Sequence, residues 1–114
     1  MTAVPVRTDW LTVCDLTRLT PSRGVAATVG WTQVAIFLLP DGEVLAIDDL
    51  DPFSGASVLS RGLVGDVEGI PTVASPVYKQ RFDLRTGRCL DDATVTVRRW
   101  AVRVHDGQIM VATG

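Results

Sequence analysis

The stretch VAIFLLPDGEVLAID, residues 34–48, decides the fold. Six consecutive apolar residues, Val34 to Leu39, run into Pro40-Asp41-Gly42-Glu43, and a second apolar run begins at Val44. An unbroken apolar run of this length suits a strand covered on both faces, although a short buried helix has the same pattern. Its shortness and its β-branched residues favour the strand. Asp-Gly between two apolar runs is a strong hairpin signal, because a type I′ turn needs positive φ at both central residues. Strands Gln33–Leu39 and Val44–Asp48 are therefore expected to pair. The same signal at Asp106-Gly107 predicts a second hairpin, between Ala101–His105 and Gln108–Ala112.

Working outward, short runs of Val, Ile and Thr punctuated by Gly, Pro and Asp predict further strands at Trp10–Cys14, Val25–Val29, Thr72–Ala74 and Arg81–Asp83. One helical turn fits at Leu16–Leu19, and Pro21 and Gly24 end it quickly. From Asp49 to Val77 the character changes: Pro52, Gly55, Gly62, Gly65, Gly69, Pro71 and Pro76 imply long loops and brief regular structure. Loops carried on a rigid β scaffold are where sites tend to lie. No internal repeat, low-complexity tract or linker is visible. The expectation is one all-β domain over residues 1–114, with stacked antiparallel sheets forming a sandwich or partial barrel and a loop-rich lobe at about 49–90.

Composition narrows the function. The 114 residues, 46% of them hydrophobic, suffice for one self-sufficient core. Thirteen acidic against eleven basic residues give a formal net charge of −2, which argues against a nucleic-acid surface. No apolar run approaches the roughly 20 residues that cross a bilayer, and the N-terminus has no signal-peptide pattern. A cytoplasmic protein with neither nucleic-acid nor membrane partner is expected.

Cys14 and Cys89 lack metal-ligand spacing and are expected to be reduced thiols, at least partly buried. His105 precedes a turn and is expected to be solvated. The carboxylates of DDLD, residues 48–51, lack the glycine and distant glutamate of a calcium loop. Ser60, Ser75 and His105 make no triad by sequence alone. Trp10, Trp31 and Trp100 are expected in core or rim packing.

Two loop segments carry a resemblance. DPFSGA, residues 51–56, and SPVYKQRFDLRTGRCL, residues 75–90, resemble the two cluster-binding loops of the Rieske domain, which read CxH and CPxHGxxFD. The proline, the Phe-Asp pair and the Thr-Gly turn of the second loop are present. The wider patterns DPFSGAxVLSRGxVGD and ASPxYKQxFDLxTGxC are similar to the small subunits of assimilatory NAD(P)H-dependent nitrite reductase, a Rieske-like group without a cluster. The likeness extends from Trp10 to Met110.

Rieske clusters use two cysteines on one iron and two histidines on the other. By the resemblance, the cysteine positions hold Asp51 and Ser75, and the histidine positions hold Phe53 and Tyr78. Phenyl, phenol, hydroxyl and carboxylate are poor replacements for thiolate and imidazole on iron. The resemblance thus implies a noncatalytic subunit that binds no metal or cofactor. Its large partner subunit would carry FAD, an iron-sulfur cluster and sirohaem and reduce nitrite to ammonium.

From the residues themselves, Phe53 and Tyr78 could fill the vacated space, and Asp51 and Ser75 could accept loop N–H groups. Tyr78, Lys79 and Arg81 are the candidates for partner binding, Tyr78 and Arg81 the better two. Arg61 could lock its loop onto a nearby carboxylate or carbonyl. Two other functions stay open: a Rieske-type ferredoxin with unconventional ligands, and a stand-alone β interaction module.

Overall fold

The apolar run at the centre of the sequence is also the centre of the molecule. In a computed structural model describing residues 9–113, Val34, Ala35, Ile36 and Phe37 are wholly buried. They belong to β3 (Thr32–Leu38), which lies between β2 (Gly24–Val29) and β4 (Val44–Asp48). The two-residue β8 (Arg99–Trp100) completes this four-stranded antiparallel sheet along β4. Alternate side chains of a strand point to opposite faces. Accordingly Val34 and Ile36 enter one core with Val29, Ala46, Trp100, Ile109 and Val111, while Ala35 and Phe37 enter another with Ile47, Leu59, Val73, Phe82 and Leu84.

Each core is closed by a further three-stranded antiparallel sheet. On one side β1 (Trp10–Asp15), β10 (Gln108–Ala112) and β9 (Val102–His105) pair in that order, with a bulge in β1 between Thr12 and Cys14. On the other β5 (Leu63–Val67), β6 (Ile70–Ala74) and β7 (Arg81–Asp83) pair consecutively. The fold is thus all-β, as expected, and the lobe is more regular than its composition suggests. Strand β5, LVGDV, escapes a sequence reading because Leu63, Gly65 and Asp66 are exposed and blur the alternation. Its hairpin turns at Glu68-Gly69, both with positive φ, where the sequence offers neither Asn nor Asp.

The two predicted hairpins form, with different turns. Asp106 and Gly107 both have positive φ, the type I′ signature. Between β3 and β4 only Gly42 does, because the proline ring locks Pro40 at negative φ and a type I turn over Pro40-Asp41 results. The Gly42 N–H reaches the Leu39 carbonyl and the Leu39 N–H the Glu43 carbonyl. The predicted helical turn is a 3₁₀ turn at Leu16–Arg18. Cys14 and Cys89 are free thiols in the two separate cores, on opposite sides of the middle sheet. His105 is exposed, and its ring lies 3.4 Å from Asp106. Trp100 is buried and its Nε1 donates to Asp48 at 2.7 Å, whereas Trp31 is fully exposed at the β2–β3 turn, contrary to expectation.

Candidate functional site

Three lobe loops share one backbone construction. In the first, the Asp51 N–H donates to the Ala56 carbonyl and the Gly55 N–H to the Asp51 carbonyl, each at 2.8 Å. In the second, Ser75 N–H reaches Gln80 and Lys79 N–H returns to Ser75, at 2.8 and 3.1 Å. In the third, Asp83 N–H reaches Arg88 and Gly87 N–H returns to Asp83, at 2.8 and 2.7 Å. The fifth residue of each, Gly55, Lys79 or Gly87, has positive φ. The first side chain of each accepts the N–H two residues on: Phe53 to Asp51, Val77 to Ser75, Arg85 to Asp83. Asp and Ser do this because their short side chains reach their own backbone. The likeness is one of hydrogen bonding, so no repeat is visible in the residues.

The first two loops meet head to head. Ser75 Oγ donates to Asp51 Oδ2 at 2.5 Å, and both residues are buried to within 1%. Asp51 also accepts from Phe53 N–H at 2.9 Å and Ser54 Oγ at 3.0 Å. The sequence reading foresaw side chains accepting loop N–H groups; the direct bond between the two side chains, which ties loop to loop, is the added finding. Burial pushes the Asp51 carboxyl up, but the bonds from Ser75, Phe53 and Ser54 outweigh it and hold it below the usual carboxylate range.

The other carboxylates of the acidic run are engaged as well. Asp49, 1% exposed, accepts Ser60 N–H at 2.7 Å, and its own N–H donates to the Gln33 carbonyl. Asp48 accepts from Trp100 on β8, so the three carboxylates fasten this acidic run to β8, to the Leu59–Arg61 3₁₀ turn and to the second loop.

Phe53 and Tyr78 part company. Phe53 packs on the lobe core, its ring centroid 6.1 Å from that of Phe82 at a 52° tilt, as a space-filling residue should. Tyr78 is 60% exposed and fills nothing. The reason is register: in like-built loops Phe53 is the third residue and Tyr78 the fourth, so Tyr78 corresponds to Ser54 and points elsewhere.

Lys79 is exposed on a left-handed backbone, φ 69°, where the other two loops carry glycine. Arg81 is already paired: its Nη2 lies 2.9 Å from Asp91 Oδ1 and its backbone N–H 2.7 Å from Oδ2. The guanidinium in turn holds the Asp91 carboxyl below the usual range. Arg61 makes no side-chain hydrogen bond or ion pair among the described residues, so the expected lock is absent there. What fastens its turn is Asp49, through Ser60.

The donor set at the loop tips does not fit an iron-sulfur cluster. The chain has two cysteines and one histidine. Cys89 is a core residue, 4% exposed, Cys14 lies in the opposite core, and His105 stands on the β9–β10 turn. The two loop-tip oxygens that would replace thiolates are bonded to each other.

Known proteins resemble the whole domain. Residues 9–112 match the Rieske-like [2Fe-2S] domain. The nitrite reductase (NADH) small subunit of Salmonella typhimurium is 42% identical over 90% of this chain and 96% of its own length. The nitrite reductase [NAD(P)H] large subunit of Klebsiella oxytoca is 46% identical over 96% of this chain, which spans only 11% of that protein. Among solved structures, one described as an NADH-dependent nitrite reductase small subunit from Mycobacterium tuberculosis superposes with a TM-score of 0.90 at 47% identity, covering 94% of this chain and 96% of that one. The Escherichia coli protein NirD gives 0.88 at 40% identity, covering 95% and 99%. On these matches the chain belongs to the Rieske-like [2Fe-2S] domain family and, within it, to the nitrite reductase small subunits.

Proposed function

We propose that this chain is a noncatalytic subunit of a cytoplasmic NAD(P)H-dependent nitrite reductase, binds no cluster itself, and supports a large subunit that carries FAD, an iron-sulfur cluster and sirohaem. The observation that carries the reading is the Asp51–Ser75 bond: the two loop tips are closed on each other by side chains, in a chain with one histidine where a Rieske cluster takes two. Electrons pass elsewhere in the complex as nitrite is reduced to ammonium. The partner follows from two arrangements of one domain, a separate small subunit in Salmonella and a segment of the large subunit in Klebsiella. A domain that works in either arrangement sits against the rest of the enzyme.

Tyr78 and Lys79 on the second loop tip form the favoured contact, since both are exposed and neither is paired within the described chain. Arg81 is the weaker candidate because Asp91 occupies it. The test is co-purification with the large subunit and NAD(P)H-dependent nitrite reduction with and without this chain. Tyr78→Ala should weaken association about tenfold, the loss of an aromatic interface anchor. No complex and no effect on activity would sink the proposal and leave a stand-alone interaction module.

A ferredoxin reading has one observation in its favour: 33% identity over 89% of the chain to the Photorhabdus laumondii 3-phenylpropionate/cinnamic acid dioxygenase ferredoxin subunit. Stoichiometric iron and a visible absorbance band in anaerobically purified protein would establish it.

A further inference from the structure

The sequence motif LSRG, residues 59–62, has a role that the loop-tip site does not absorb. Its 3₁₀ turn is fixed by backbone bonds: Ser60 N–H to Asp49, Arg61 N–H to the Val58 carbonyl, Gly62 N–H to the Leu59 carbonyl. The turn is pressed between β2 and β6 by two glycines. A Cβ on Gly24 would collide with the Ser60 carbonyl and one on Gly62 with the Ala74 carbonyl. This close approach brings Arg61 and Arg23 to one surface cleft of about 390 Å³, walled by Ser22, Gly24, Ser60 and Gly62, with no carboxylate in its lining. Ser22 enters the cleft on a left-handed backbone, φ 65°, its N–H fixed to the Leu38 carbonyl.

Five arginines among the described residues have side-chain partners. Arg81 and Arg85 pair with carboxylates, Arg98 and Arg103 cover tryptophan rings, and Arg99 donates to a carbonyl. Arg18, Arg23, Arg61 and Arg88 have none among the described residues; Arg18 lies beside Asp15, whereas Arg23 and Arg61 share a cleft that no carboxylate lines. Both side chains are exposed, so the cleft presents two positive charges to solvent in a chain of net charge −2. Guanidinium is the group best shaped for two-point bonding to phosphate or carboxylate, and serine hydroxyls add donors.

We propose that the Arg23–Arg61 cleft is an oxyanion site. It takes a phosphate or carboxylate group, either of a small soluble ligand or of an acidic side chain on the large subunit. The first source is independent of the partner reading; the second rests on it.

The test has two arms. In the first, the chain alone is titrated with inorganic phosphate at constant ionic strength, and amide shifts of Gly24, Arg61 and Gly62 are followed. Saturable shifts that Arg23→Gln and Arg61→Gln each weaken about tenfold, with Arg61→Lys intermediate, identify a soluble oxyanion ligand. In the second, association with the large subunit is measured with the same variants and with Tyr78→Ala. An Arg61→Gln loss of about tenfold that vanishes at high salt identifies a partner carboxylate. If phosphate shifts do not saturate and both glutamine variants associate like the parent, the proposal is overturned. If Tyr78→Ala alone weakens the complex and phosphate shifts do not saturate, the partner reading stands while the cleft proposal fails. Unchanged amide spectra elsewhere in each variant establish that the fold is intact.

Discussion

At the scale of single residues, Asp51 and Ser75 do for the lobe what a bound group would otherwise do: they join two loop tips at one buried point. Ser75→Ala removes the donor and leaves part of a buried carboxylate unpaired, so it should cost about 1–3 kcal/mol in urea denaturation. The pH dependence follows from the lowered Asp51 carboxyl. A carboxyl depressed in the folded state contributes stability fully above its unfolded value, roughly pH 4, and loses it as pH falls through the folded value. Urea midpoints taken downward from pH 7 should therefore fall below about pH 4, and fall less steeply in Asp51→Asn. Lys79 makes a separate case. An L-residue in the left-handed region costs about 1–2 kcal/mol, and glycine loses about 0.5–1 kcal/mol more backbone entropy on folding. Lys79→Gly should thus raise stability by about 0.5 kcal/mol. If the same change weakens association with the large subunit, the lysine is retained for contact rather than for folding.

At the scale of elements, the lobe is held by how closely its backbone can approach its neighbours. Gly62 stands against β6, where a methyl group would meet the Ala74 carbonyl and come within 2.6 Å of Val73 Cγ2. Gly62→Ala should cost about 1–3 kcal/mol by overpacking, with altered amide shifts in both β6 and the Leu59–Arg61 turn. A neutral result would mean that the turn can slide off the sheet. The elements also show which sequence signals are trustworthy. The boundaries of β4, β7 and β10 agree with the apolar runs that predict them, because alternation and turn residues act locally. β5 and β8 were illegible: the first exposes three of its five residues, and the second is two residues long and exists only because β4 offers an edge.

At the scale of the molecule, three antiparallel sheets in layers give two cores, with β3 buried from both sides. Such an arrangement leaves Tyr78 and Lys79 exposed at the tip of the second loop. The prediction at this scale is that the purified chain holds substoichiometric iron by elemental assay and lacks visible absorbance, while still forming a complex with the large subunit. Iron at one cluster per chain would refute the donor-set argument. By itself the sequence determined the all-β class, the doubly covered strand through Val34–Phe37 and the absence of thiolate and imidazole from both loop tips, since each depends on residue type or on neighbours a few positions apart. Tertiary structure alone decided that Asp51 meets Ser75 across 24 positions, that Phe53 packs while Tyr78 projects, and that Arg23 and Arg61 share a cleft. Those facts depend on loop register and on glycine-permitted approach between distant segments, and local pattern carries no information about which distant segments touch.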